Sequence, residues 1–271
     1  MKTRIISALI GLILLFAVVF AGDEIFAVSV ILLAACGIYE LYGAFEKAGH
    51  KPVKLFGYIA CLFPALWFFF KEQVIDFESI FFIILCGSIF LLFFTIIFEH
   101  KKYSIVDASL AFFGSIYVVF LFSFLLLVRY MQYGAFYIWI VFIAAWATDT
   151  FAYFTGVTIG KIKILPEISP KKSLEGSIGG ILGCIICLMI YGYYLRSSNI
   201  PFDMADALIL GALCGVLSQT GDWSASVIKR YCGIKDFSNI MPGHGGVLDR
   251  FDSILFTAPV VYLYISGLII A

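Results

Sequence analysis

The sequence predicts an all-α, polytopic integral membrane protein of about nine transmembrane helices, with the N-terminus cytoplasmic and the C-terminus outside. Three observations predict it. Of 271 residues, 62% are hydrophobic and only 13% are charged, against about 25% charged in a soluble domain. Apolar runs recur along the whole chain, most of them near the ~20 residues that cross ~30 Å of hydrocarbon. The cations are distributed unevenly between alternate connections, as the positive-inside rule requires.

The spans are about 5–21, 25–45, 53–70, 79–98, 105–128, 134–157, 176–195, 205–221 and 251–271. The first follows Met1-Lys-Thr-Arg and looks like a signal peptide. It leads straight into further spans, so it reads as a membrane helix. Assigning the N-terminus and every second connection to one side collects Lys2, Arg4, Lys47, Lys51, Lys54, Lys101, Lys102, Lys161, Lys163, Lys171, Lys172, Lys229, Arg230, Lys235 and Arg250 there. Lys71, Arg129 and Arg196 fall on the other. The outer connections, Lys71–Glu78 among them, are short. The two longest connections, about 158–175 and 221–250, are both on the cation-rich, cytoplasmic side. The chain reads as a single membrane domain over 1–271, with apolar helices over about 1–130 and a catalytic half over about 131–271.

Composition excludes some functions. Net formal charge is zero, so overall charge points to no nucleic-acid partner. Of seven cysteines, all but Cys232 lie inside apolar spans. Cys184-x-x-Cys187 has redox spacing, but mid-helix among apolar residues it reads as packing. Glu40, near the cytoplasmic end of the second span, suggests only packing or bundle polarity. His50 and His100 fall in cytoplasmic connections and read as solvated.

The stretch Ser226–Asp252 departs from this background. Within it lie Lys229, Arg230, Lys235, Arg250, Asp236, Asp249, Asp252, His244 and four glycines. Such polarity is too costly to leave in hydrocarbon. If the eighth helix continues beyond its apolar part, Asp222, Ser226, Lys229 and Arg230 share one face at i, i+4, i+7 and i+8. Pro242, Gly243, Gly245 and Gly246 define a loop whose backbone can approach a ligand, with amides able to turn toward an anion. No Walker pattern is present. His244 is a phosphate donor or an acid/base candidate. Asp249 and Asp252 stand at i and i+3 at the head of the last helix. They can cap it, or, with Asp222, offer oxygen ligands to Mg²⁺.

Two upstream features fall on the same side. Asp149 lies ~22 Å into its span at 1.5 Å per residue, with Tyr153 one turn on. An intramembrane acid is functional by default. Ser169-Pro-Lys171-Lys172-Ser173 precedes a helix beginning near Leu174, and ammonium groups beside helix-terminal amides suit polyanion capture. The Gly176–Gly183 run permits close helix approach.

These motifs carry a resemblance. Ser226-x-x-Lys-Arg-x4-Lys-Asp-x-Ser-x3-Pro-x-His-Gly-Gly-x-x-Asp-Arg-x-Asp252 resembles the phosphatidate cytidylyltransferase (CDP-diglyceride synthase) pattern over 27 residues. Met241 replaces the family's Leu, Ile or Phe, a conservative change. Asp149-x-x-Ala-Tyr-x-x-Gly156 and Ser169-Pro-Lys-Lys-Ser-x-Glu-Gly176 look like its upstream motifs. The N-terminal half resembles the family only in being apolar and multi-spanning. The resemblance implies a transferase of phospholipid biosynthesis in a bacterial cell membrane, its active site facing the cytoplasm. CTP and phosphatidic acid would give CDP-diacylglycerol and pyrophosphate with Mg²⁺, a second cation being optional, and the enzyme would be a homodimer. It places the metal at Asp222 and Asp249. The residues expected to carry the reaction are Asp222, Asp249, Lys229, Arg230, His244 and Arg250. Those expected to bind substrate are Asp149, Tyr153, Ser169, Lys171, Lys172, Ser173, Ser226, Lys235, Asp236, Gly245, Gly246 and Asp252.

Two rivals remain from the residues alone. A CDP-alcohol phosphotransferase would show D-G-x2-A-R-x8-G-x3-D-x3-D, which is absent. A cation-coupled transporter would use Asp149 and Asp222 as ion ligands, but it needs access from both faces, and the polar motifs lie on one.

Overall fold

A computed structural model of the chain describes residues 2–70 and 77–269. The described residues form helices joined by short turns and two longer loops, with no strand among them beyond isolated bridges. In order they are α1 (Lys2–Phe20), α2 (Asp23–Lys47), α3 (Lys54–Ala60), α4 (Leu62–Phe70), α5 (Phe77–Phe98), α6 (Ile105–Gly114), a π-helical turn (Ser115–Phe120), α7 (Leu121–Tyr130), α8 (Gly134–Ile159), α9 (Leu174–Ser197), α10 (Met204–Tyr231), α11 (Leu248–Tyr264) and a closing π-turn (Ile265–Ile269).

By length and apolarity, six of the described helical segments can cross a membrane: Asp23–Lys47, Ile105–Tyr130, Gly134–Ile159, Leu174–Ser197, Met204–Tyr231 and Leu248–Ile269. They match the expected second, fifth, sixth, seventh, eighth and ninth spans. The expected first, third and fourth spans correspond to the shorter apolar helices Leu9–Phe20, Lys54–Phe69 and Phe82–Phe98. Most of the outer connection Lys71–Glu78 lies outside the described residues.

Local sequence sets the helix ends. Asp23 and Glu24 open α2 and Lys47 closes it, opposing the helix dipole at both termini. Ser104 and Asp107 form a reciprocal capping box ahead of α6. Ser173 caps α9, its Oγ accepting from the Gly176 amide at 3.2 Å. Tyr133, in the left-handed region at φ 62°, makes the tight turn between α7 and α8.

The chain divides into two compact units. One comprises Met1–Leu126 with Tyr231–Arg250. Its centre is Tyr42 of α2, 1% exposed, whose hydroxyl donates to the Ala111 carbonyl at 2.7 Å. A Cβ at Gly57 or Gly114 would come within 2.5 Å of that ring. Glycine at both positions therefore lets α3 and α6 close onto α2. His50, expected to be solvated, meets the exposed Tyr231 hydroxyl through Nε2 at 2.7 Å and stacks on its ring.

The other unit comprises Leu127–Arg230 with Phe251–Ala271. Here α9 packs along α8 through its glycine run. A Cβ at Gly180 would sit 2.9 Å from the Thr148 carbonyl oxygen and 3.0 Å from Ala152 Cβ. On its other side, α9 meets Gly211 and Gly215 of α10, where a Cβ would lie 2.8 Å and 3.0 Å from the Cα atoms of Ile185 and Ile181. Gly221 of α10 abuts the Asp252 carbonyl of α11. Small residues thus bring helix backbones into contact where no hydrophobic force separates protein from lipid. The thiols behave as small hydrophobes. Cys184 is fully buried, and it and Cys187 are free.

Candidate active site

The basin belongs to the second unit. It is a cavity of about 620 Å³ between α8, the 160–173 loop, α9 and α10. Asp149, Tyr153, Ser169, Lys171, Lys172, Ser173 and Asp222 all line it. Asp149 and Tyr153 reach it because i and i+4 share a helix face.

The loop is shaped by its own hydrogen bonds. Leu174 N–H donates to the Ile162 carbonyl at 2.8 Å, and Ile164 N–H to that of Lys172 at 3.2 Å. Glu175, in the first turn of α9, accepts from the Lys161 and Ile162 amides at 3.0 and 3.2 Å. Arg230 Nε donates to the Ile168 carbonyl at 3.2 Å and ties the loop to α10. That contact uses one of the guanidinium's five N–H donors.

The electrostatic centre of the basin is Lys172. It forms an ion pair with Asp222 and stands 5.7 Å from the Trp223 ring centroid. Its Nζ is shielded from solvent and makes no well-aligned hydrogen bond to any described residue. An ammonium has three donors, more than the pairing with Asp222 alone can use. Around it the carboxylates are crowded. Asp222 and Asp149 lie close enough to Asp252 to act on it electrostatically, with Lys229 as a nearby cation. Asp252 is 8% exposed, and its Oδ1 accepts from the Ser253 amide at 2.8 Å. The helix condition set out above is met, since α10 runs unbroken to Tyr231 and carries Asp222, Ser226, Lys229 and Arg230 on one face.

The donor set suits a hard cation. Carboxylates alone would repel a phosphate, and Lys172 and Lys229 offset only part of that charge. A divalent ion with oxygen ligands would complete the balance. Mg²⁺ retains waters and substrate oxygens, so it needs only one or two carboxylates. Among the described residues, no group of three or more His, Cys, Asp or Glu stands at metal-holding spacing.

The glycine loop belongs to the first unit. Gly243 and Gly245 are left-handed at φ 79° and 81°, and Met241 and Gly245 form an isolated bridge. Ser7 Oγ donates its proton to the Pro242 carbonyl at 3.1 Å and lies 2.7 Å from His244 Nδ1. Arg250 Nε donates to the His244 carbonyl at 2.8 Å. Asp249 Oδ2 accepts from the Gly246 and Phe237 amides, each at 2.9 Å. The Gly246 amide therefore faces the protein's own carboxylate. Lys235 and Asp236 are exposed on the same loop.

Sequence reasoning missed several residues. Glu40 is the chief one: it is 2% exposed and accepts from Val247 N–H and Leu248 N–H at 2.8 Å and from the Ser238 hydroxyl at 2.6 Å. Its carboxylate is thus hydrogen-bonded to three donors of the 238–248 segment, contacts that packing or bundle polarity alone does not describe. The signal was available, because an acid within an apolar span is seldom idle. Gln219 also lines the basin, one turn before Asp222. Its Oε1 accepts from Ser177, and its Nε2 donates to the Ser177 and Gly215 carbonyls at 3.1 and 3.0 Å. Trp223 had no motif to mark it.

Fold and site together define a helical integral membrane protein with a carboxylate- and lysine-lined basin. The chain matches the model of the Cytidylyltransferase family over residues 2–268, and it belongs to that family. It is 36% identical to a phosphatidate cytidylyltransferase of Thermotoga maritima over 269 residues, covering 97% of this chain and 95% of that one. It is 32% identical to the enzyme of that name from Bacillus subtilis over 273 residues, 98% of each chain. A Staphylococcus aureus phosphatidate cytidylyltransferase is 32% identical over 269 residues, 96% of this chain and 97% of that one. The transporter reading finds no support among these relatives.

Proposed function

We propose that this protein is a phosphatidate cytidylyltransferase, converting CTP and phosphatidic acid to CDP-diacylglycerol and pyrophosphate. A phosphatidate oxygen attacks the α-phosphorus of CTP; the bond from that phosphorus to the β-phosphate bridging oxygen breaks, and pyrophosphate leaves with the electron pair. Such a transfer needs alignment and charge neutralisation more than a covalent nucleophile. The observation that carries the reading is Lys172, an ammonium with unused donors between Asp222 and Trp223 in a carboxylate-lined basin.

Lys172 and Lys171 would hold phosphate oxygens, with Lys229 and Arg250 as further cations and His244 as a donor. Asp149 and Tyr153 would position substrate from α8. Mg²⁺ is the proposed cofactor, with Asp222 and Asp249 proposed to hold it; when bound it supplies charge neutralisation between phosphates. The lysine and arginine asymmetry supports nine spans with the N-terminus and the active face in the cytoplasm. On that reading the three shorter apolar helices complete the count. The catalytic half is then about 131–271, and the enzyme works as a homodimer.

The test uses purified protein with labelled CTP, phosphatidate and Mg²⁺. CDP-lipid should form, stop on chelation, and resume on adding Mg²⁺. Asp222→Asn and Asp249→Asn should each abolish turnover with helical content unchanged. Wild-type activity in either variant defeats the metal-ligand assignment. Ion transport without nucleotide turnover would sink the enzyme reading.

A further inference from the structure

We propose that Glu40, on α2, is a positioning residue that sets the conformation of the 238–248 loop and thereby holds Asp249 and His244 for the reaction. The proposal rests on the cytidylyltransferase reading above. Its basis is a complete match of acceptors to donors. Glu40 Oε1 accepts the Ser238 hydroxyl and the Val247 amide; Oε2 accepts the Leu248 amide. Val247 immediately precedes α11 and Leu248 opens it, where amides have no partner within the helix. A carboxylate there also meets the positive end of the helix dipole.

The neighbouring contacts repeat the arrangement. Gly246 N–H, the next amide back, goes to Asp249. Amides 246, 247 and 248 are thus divided between Asp249 and Glu40. Ser238, bonded to Glu40, also accepts from the Ile240 amide at 3.2 Å, so both limbs of the loop end on one carboxylate. Backbone shape makes room for it. A Cβ at Gly246 would lie 2.5 Å from Glu40 Oε1, and a Cβ at Gly37, one turn before Glu40, would lie 3.1 Å from Leu248 Cδ2. Glutamine keeps the shape of glutamate but presents an amide NH₂ where one of the donors needs an acceptor.

The experiment compares wild type, Glu40→Gln, Ser238→Ala, and the cycle of Glu40→Ala, Gly246→Ala and Glu40→Ala/Gly246→Ala. Amide exchange is measured without nucleotide or metal, and turnover with both. Residues that orient a metal ligand typically cost about 10–100-fold in activity or metal affinity when altered. We expect that loss in kcat for Glu40→Gln, with KM for CTP nearly unchanged. Exchange should accelerate in 238–248 and stay at the wild-type rate in α8 and α9. Ser238→Ala should give a smaller change of the same kind. Glu40→Ala removes the carboxylate that a Gly246 Cβ would strike, so Gly246→Ala should cost less in that background than in wild type.

Wild-type exchange and kcat in Glu40→Gln would overturn the proposal. So would exchange accelerated throughout the chain, which marks a purely structural role. A wild-type protein without CTP turnover would defeat the enzyme reading and with it the catalytic half of the proposal; the exchange arm, which needs no substrate, would still confirm or refute Glu40 as the loop's anchor.

Discussion

Lys172→Met is the sharpest test of the basin. The substitution keeps a flexible apolar stem and removes the ammonium paired with Asp222. At ~4 Å and an effective dielectric of about 20, such a pair gains about 4 kcal/mol before desolvation. The two side chains are 22% and 36% exposed, so water recovers much of that. The net loss of stability should be ~1–2 kcal/mol, a fall of a few degrees in the apparent unfolding midpoint. The catalytic effect should be larger. A charge-assisted bond to a substrate phosphate contributes about 1.5–3 kcal/mol, which corresponds to roughly 10–150-fold in kcat/KM. The two effects separate in Lys172→Met/Asp222→Asn, which removes the uncompensated carboxylate. Its midpoint should return toward wild type while activity stays low. The assay is CDP-lipid formation over a CTP titration, with thermal unfolding followed by circular dichroism. A kcat/KM for Lys172→Met within about twofold of wild type would refute Lys172 as a phosphate clamp.

Other outcomes follow from packing and burial. Gly180→Leu should push α9 off α8, since even a Cβ would lie 2.9 Å from the Thr148 carbonyl; overpacking of this kind costs about 1–3 kcal/mol, read as a lowered midpoint in detergent. A midpoint equal to wild type would show that the two helices are not held at this distance. Cys232, in the loop after α10, is 5% exposed, and burial pushes its thiol above the usual range. The thiolate is the reactive form, so iodoacetamide should label Cys232 in folded protein more slowly at pH 8 than in denatured protein, and faster as pH rises further. Equal rates at pH 8, measured by peptide mass analysis, would contradict its burial.

Much of this was legible in the sequence because membrane helices declare themselves. Hydrocarbon forces each crossing segment to be long, apolar and hydrogen-bonded within itself, so segments such as Gly134–Ile159 and Leu174–Ser197 fall close to where hydropathy puts them. The residues of the basin were legible for the same reason. Asp149, Lys171, Lys172 and Asp222 are polar in a chain that tolerates little polarity, and all four line one cavity. Sequence also determined the shared face of Asp222 through Arg230, because helical periodicity alone sets it.

Tertiary structure decided which partners those groups found. Periodicity is local, whereas Glu40 meets Val247 across more than 200 positions, and no spacing rule relates them. The Gly246 amide, expected to face a ligand, faces Asp249 because the loop returns on itself through left-handed Gly243 and Gly245. Asp252 comes under the influence of Asp149 and Asp222 because Gly221 lets α10 touch the backbone of α11. The sequence determined where charge could be tolerated, through the cost of burying it. Close backbone approach at glycines decided which charges meet.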